Sequence, residues 1–156
     1  MKKIYLLPII IVIILIIIFR KKGPEITDIK YFNFGYSTGN MMYAYVSYNI
    51  NLEKNKYIVS IKPTGIPEEK TLKKEINVEE VKKVEEILKK YEVGKWDGFN
   101  KSDKNVLDGN SFSLYTRFTN DDTIDAHGYM KYPKNYKEVR EELDKFFMDI
   151  YNEKIN

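Results

Sequence analysis

Three consecutive stretches decide the fold: Ser111-Phe112-Ser113-Leu114-Tyr115-Thr116-Arg117-Phe118-Thr119, then Asn120-Asp121-Asp122, then Thr123-Ile124-Asp125-Ala126-His127-Gly128-Tyr129-Met130. In the first, Phe112, Leu114, Thr116 and Phe118 alternate with Ser113, Tyr115 and Arg117. A period of two marks a strand with one buried face. The Asn-Asp-Asp run supplies a hairpin turn, because short polar side chains hydrogen-bond to nearby backbone. The third stretch returns as the partner strand. A helix follows, with Asn135 as candidate cap and Glu138 three residues on. Its narrow apolar face is Val139, Leu143, Phe146, Phe147 and Ile150.

The same order occurs earlier in the chain. Ile26–Tyr36 is rich in Ile, Tyr and Phe and reads as extended, and Ser37-Thr38-Gly39-Asn40 reads as a turn. Met42–Ile50 puts Met42, Ala44, Val46, Tyr48 and Ile50 on one face and Tyr43, Tyr45, Ser47 and Asn49 on the other. Glu53-Lys54-Asn55 then turns the chain into a strand at Lys56–Lys62, and a lysine-rich strand is predicted at Lys70–Ile76. Asn77 and Glu80 have capping-box spacing for a helix from Val78 to Tyr91. Val81, Val84, Ile87, Leu88 and Tyr91 form its apolar face; Glu79/Lys83, Glu85/Lys89 and Glu86/Lys90 are expected as ion pairs on its wet side. Two successive ββ(β)α units, in the order βββ(β)α–ββα, predict an α+β domain over residues 25–156. Its sheet is expected to be antiparallel, with both helices on one face.

Composition divides the 156-residue chain in two. Residues 1–24 hold Lys2, Lys3, Arg20, Lys21 and Lys22 and no acid, a side-chain charge of +5. The rest holds the other 21 basic residues and all 23 acids, net −2. The run Ile4–Phe19 is apolar throughout, with Pro8 near its start. As a helix it spans about 24 Å, and flanking Lys and Arg can snorkel toward the headgroups of a hydrocarbon core of about 30 Å. A cleaved signal peptide is the competing reading, but the run ends in Phe19-Arg20-Lys21-Lys22 without a small-residue cleavage pattern. The expectation is a single-pass anchor, residues 1–24, meeting the lipid bilayer through residues 4–19. The basic flanks nearly balance, and a short tail usually stays inside, so the domain is expected on the extracytoplasmic side. The chain has no cysteine, which excludes disulfides, thiol catalysis, cysteine-ligated metals and lipidation at cysteine. A domain at −2 does not suit nucleic acid.

Candidate chemistry is sparse. Asp125 and His127, the lone histidine, fall two apart on one strand face and could form an acid–base pair, with Ser111 or Ser113 as a remote nucleophile. No serine lies in a G-x-S-x-G elbow, and one histidine does not make a multi-histidine zinc site. An exposed strand histidine is the plainer reading. The acidic run Asp103–Asn110 fails the EF-hand pattern, since Asp108 stands where glycine is required and Leu114 where glutamate belongs. No cofactor or metal is expected. Trp96 in Trp96-Asp97-Gly98-Phe99 is read first as a core plug between helix and sheet, and second as a ligand platform. The 13 tyrosines are the oddity of composition. Tyr43, Tyr45 and Tyr129 are candidates for a wet aromatic binding face, because tyrosine combines contact area with a polar tip.

Gly35-Tyr36-Ser37-Thr38-Gly39-Asn40-Met41, Trp96-Asp97-Gly98-Phe99, Val106–Leu114 and Ala126-His127-Gly128-Tyr129 with Tyr132-Pro133-Lys134-Asn135-Tyr136 carry a resemblance. Together they resemble an uncharacterised family of low-GC Gram-positive bacterial proteins, some of them lipoproteins or membrane-anchored. The likeness covers most of residues 34–147. Members often carry Asn at or near Met130 and usually Gly at Asp122. The resemblance implies a bacterial source and one domain, and carries over no catalytic residue. The function expected is a membrane-anchored, non-catalytic binding module. The alternatives are a cell-envelope hydrolase using Asp97, Asp108 or Asp125 with His127, and a membrane-tethered inhibitor or immunity-type protein.

Overall fold

The computed structural model describes residues 23–37 and 44–153. The basic flanks Lys2, Lys3, Arg20, Lys21 and Lys22, the apolar run 4–19 and Tyr43 lie outside the described residues. Among the described residues no helix is long and apolar enough to cross a membrane.

The strands are β1 (Ile29–Ser37), β2 (Tyr45–Glu53), β3 (Lys56–Lys62), β4 (Leu72–Ile76), β5 (Phe99–Ser102), β6 (Ser111–Phe118) and β7 (Thr123–Tyr129). Helix α1 (Val78–Lys90) follows β4, and α2 (Tyr136–Glu153) follows β7. One seven-stranded sheet runs in the order β4-β3-β2-β1-β6-β7-β5. The α+β expectation holds, and β6–β7 form the hairpin read from the alternation, with Leu114 opposite Ala126 and Phe112 opposite Gly128. β1 sits at the centre, antiparallel to both β2 and β6.

The sheet is not wholly antiparallel. β5 pairs in parallel with β7, Phe99 beside Ala126 and Ser102 beside Tyr129. The Trp-Asp-Gly-Phe run ends a 3-10 turn at Val93–Trp96 and then enters this strand. Gly98 takes φ 73, a conformation glycine reaches without steric cost. Its N–H donates to the Asp125 carbonyl at 2.9 Å, and the Asp97 carboxylate accepts from the Asp125 N–H at 3.2 Å. These two bonds steer the chain alongside β7. The four-residue strand that results is too short and polar to leave an alternating signal.

The inward positions of the strands and the apolar faces of both helices share one core. Phe147 of α2 stacks on Tyr48 and Phe32, centroids 4.5 and 6.0 Å apart. The Asn77/Glu80 capping box opens α1 as its spacing predicts. Two helix details differ from expectation. Glu85 is not on the wet side: it is 5% exposed and accepts the Ile29 N–H at 2.9 Å. The ion pairs of α1 run instead from Glu79 to Lys82, and from Lys90 across to Glu142 of α2. Asn135 sits at φ 63, outside the extended region that a capping residue adopts, and its side-chain amide donates to the Tyr91 carbonyl at 3.4 Å.

Candidate functional site

With the helices on one side, the other side of the sheet is uncovered among the described residues. Alternation decides what it shows. β2 presents Tyr45, Ser47, Asn49 and Asn51; β1 presents Tyr31, Asn33, Gly35 and Ser37; β6 presents Ser111, Ser113, Tyr115 and Arg117. Asp125, His127 and Tyr129 continue the face on β7.

These side chains bond to one another across the strands. Asn33 donates its amide to Asn49, whose own amide donates to Ser47 Oγ at 3.0 Å. Ser37 Oγ accepts the Ser111 N–H at 2.7 Å. Tyr45, 40% exposed, lies over Gly35: a Cβ at residue 35 would stand 2.0 Å from the tyrosine hydroxyl. From there the hydroxyl shares a bond with Ser113 Oγ at 3.3 Å, and Lys62 Nζ stands 5.9 Å from the ring centroid. The glycine is thus a seat for an aromatic ring on the open face. Tyr31 and Tyr115 pair farther along, centroids 5.9 Å apart.

Tyr129 serves a second purpose. Its hydroxyl accepts the Gly109 N–H at 2.7 Å and donates to the Leu107 carbonyl at 2.8 Å, so it pins the 103–110 loop to the end of the sheet. Asp103, whose carboxyl lies below its ordinary range because it accepts the Asn105 N–H and faces Lys131, closes the start of that loop. Trp96 is not on the face. It is 2% exposed, packs edge-on to Phe112, and donates its indole N–H to the Lys134 carbonyl at 3.0 Å. Almost all of its surface is taken up by packing, which supports the core reading.

The predicted Asp125–His127 pair is present, with Nε2 to Oδ1 at 2.7 Å, both side chains about half exposed. Ser113 stands opposite His127 in the β6–β7 register, and both line a shallow groove of ≈ 330 Å³ with Tyr45, Asn100, Ser111 and Tyr129. The hydroxyl of Ser113 is shared with Tyr45, and His127 Nε2 is turned to Asp125. Asp97 is tied to the backbone of β7, and Asp108 sits on the separate 103–110 loop. Of the acids and histidine named from the sequence, Asp125 and His127 thus meet, Asp97 reaches only the Asp125 backbone, and Asp108 stands apart. Among the described residues no group of three or more His, Asp or Glu could hold a metal ion.

The sequence names Tyr45 and Tyr129 as binding candidates and gives no such role to Tyr31, Tyr115, Asn33 or Asn49. The signal was there in the period of two: Tyr115 shares the outward set with Ser113 and Arg117. Cross-strand register, which no single stretch reveals, is what gathers them. No protein-family model matches the chain, and no characterised sequence matches it.

Proposed function

We propose that this chain is a membrane-anchored, non-catalytic binding module that docks a partner protein on the open face of its sheet, on the extracytoplasmic side. One observation carries the reading. The chain is 31% charged, yet the outward positions of β1, β2 and β6 hold mainly Tyr, Asn, Ser and Gly, with charge gathered at the far end in Lys30, Glu53 and Arg117. A face evolved only for water would share the Lys and Glu that coat the helices. Tyrosine gives large, rigid contact area at low entropic cost, and Asn, Ser and Gly give adaptable hydrogen bonding, the chemistry of protein-recognising surfaces. The anchor rests on the Ile4–Phe19 run with its basic flanks.

The test is capture of the full chain from detergent-extracted envelopes, beside Ser113→Arg in the middle of the face and Glu86→Arg on the outer side of α1. A single partner kept by Glu86→Arg and lost by Ser113→Arg, at unchanged melting temperature, is the expected result. A partner retained by both variants sinks the face. Turnover of an ester or amide panel that vanishes in His127→Gln would put the hydrolase in its place. A captured enzyme silenced by the chain would sharpen the reading to an inhibitor.

A further inference from the structure

We infer that the β5 edge of the domain rests on the surface of an anionic phospholipid bilayer, an inference that builds on the membrane-anchor reading. The first described residue, Gly23, packs against the Val93–Trp96 turn so closely that a Cβ on it would stand 2.0 Å from the Gly94 carbonyl oxygen. The 22 preceding residues, with the apolar run and its basic flanks, therefore join the domain at this point.

The surface beside that junction has a distinct chemistry. Glu92 and Lys95 line the hollow at Gly23 and Pro24 and also a neighbouring groove of ≈ 310 Å³. Tyr91, Phe99, Tyr132 and Lys134 help to wall this second groove. Tyr132 then reaches the 103–110 loop through the Asn110 carbonyl at 3.4 Å, and the Met130 N–H donates to the same oxygen at 2.9 Å. At the tip of that loop Leu107 is 93% exposed. Leu107, Met130 and Tyr132 thus bring exposed apolar and aromatic surface to this one edge.

Lysine is in slight excess there: Lys95, Lys101, Lys104, Lys131 and Lys134 stand against Glu92, Asp97, Asp103 and Asp108. Lys95 pairs with Glu92 at 2.5 Å and Lys131 with Asp103 at 3.2 Å. Lys101, Lys104 and Lys134 are exposed and make no ion pair among the described residues. Exposed aromatic and aliphatic groups ringed by surplus lysine fit the headgroup layer of an anionic leaflet, where rings sit at the interface and lysines meet phosphates. A protein partner is disfavoured at this edge, because it lies where the chain enters the membrane. With β5 against lipid, the open face stands clear of the bilayer.

The cysteine-free sequence allows a clean test. The full chain carrying Leu107→Cys, labelled with an environment-sensitive fluorophore, is reconstituted into phosphatidylcholine vesicles with one quarter phosphatidylglycerol. Lys73→Cys on β4 is the control; six strand spacings put it about 29 Å from β5. Vesicles carrying shallow nitroxide-labelled lipids are expected to quench the 107 label several-fold more than the 73 label, and neutral vesicles to lose much of that difference. Protein that floats with vesicles yet shows equal quenching at both sites overturns the inference and leaves the anchor standing. Protein that does not float removes the anchor and the inference with it.

Discussion

Single side chains carry a large share of this domain's specificity. Asp144 on α2 accepts the hydroxyls of Tyr36 and Tyr48 on one oxygen, at 2.7 and 2.8 Å, while Arg140 stands over the Tyr36 ring. Burial, with the Asp144 carboxylate beside them, pushes both phenols well above their ordinary range, so they remain donors at every physiological pH. Asp144→Ala strands two buried hydroxyls and is expected to cost about 3 kcal/mol in urea denaturation, while Asp144→Asn keeps an acceptor and costs less. Burial acts on Glu85 in the same direction. Burial raises its carboxyl above the ordinary 4.5, only partly offset by the Ile29 N–H and Lys89. Between the ordinary and the raised value the folded state holds the proton more tightly than the unfolded chain. Stability therefore falls as pH rises through that window. Glu85→Gln keeps an acceptor for Ile29 and is expected to be the more stable protein at pH 7. Its advantage should shrink toward pH 4.5, read from urea midpoints at the two values.

Elements differ in how plainly the sequence announces them. β2, β6 and β7 are visible because each places hydrophobic residues at every second position. α1 is visible because Asn77 and Glu80 mark its start and its apolar residues recur every three or four. The capping box is expected to contribute about 1 kcal/mol, so Asn77→Ala should lower the unfolding free energy in urea by that amount. Phe147, inserted between Tyr48 and Phe32, anchors α2; Phe147→Ala is expected to cost about 3–5 kcal/mol by the same measurement. Three features were not legible, each for a physical reason. β5 depends on bonds from Asp97 and Gly98 to a strand nearly thirty residues later in the chain. Glu85 looks like a wet-side residue until the Ile29 N–H is known to need an acceptor. Asn135 looks like a cap until its φ of 63 is known. The binding face was half legible: alternation points Tyr45 and Ser113 outward, but only register makes them neighbours.

At the scale of the molecule, one face of the sheet is committed to packing and the centre of the other to mutual hydrogen bonding of neutral groups. The second face is thereby prearranged. Its order depends on the space above Gly35. Gly35→Ala would push the Tyr45 ring aside at the flexible end of its side chain, so folding is expected to survive while partner capture falls. Loss of capture without a change in melting temperature distinguishes this from simple unfolding.

The parallel strand has a consequence in time. β1 is bonded on both sides, whereas β5 holds to the sheet through four residue pairs on one side only. Closing β5 onto β7 requires the whole intervening loop and hairpin to be in place first, so it is the late step of assembly and the early step of opening. Amide hydrogens of Asn100–Ser102 are expected to exchange with solvent deuterium well before those of Phe32–Tyr36. The domain has a rigid middle and one edge that can unzip without the rest.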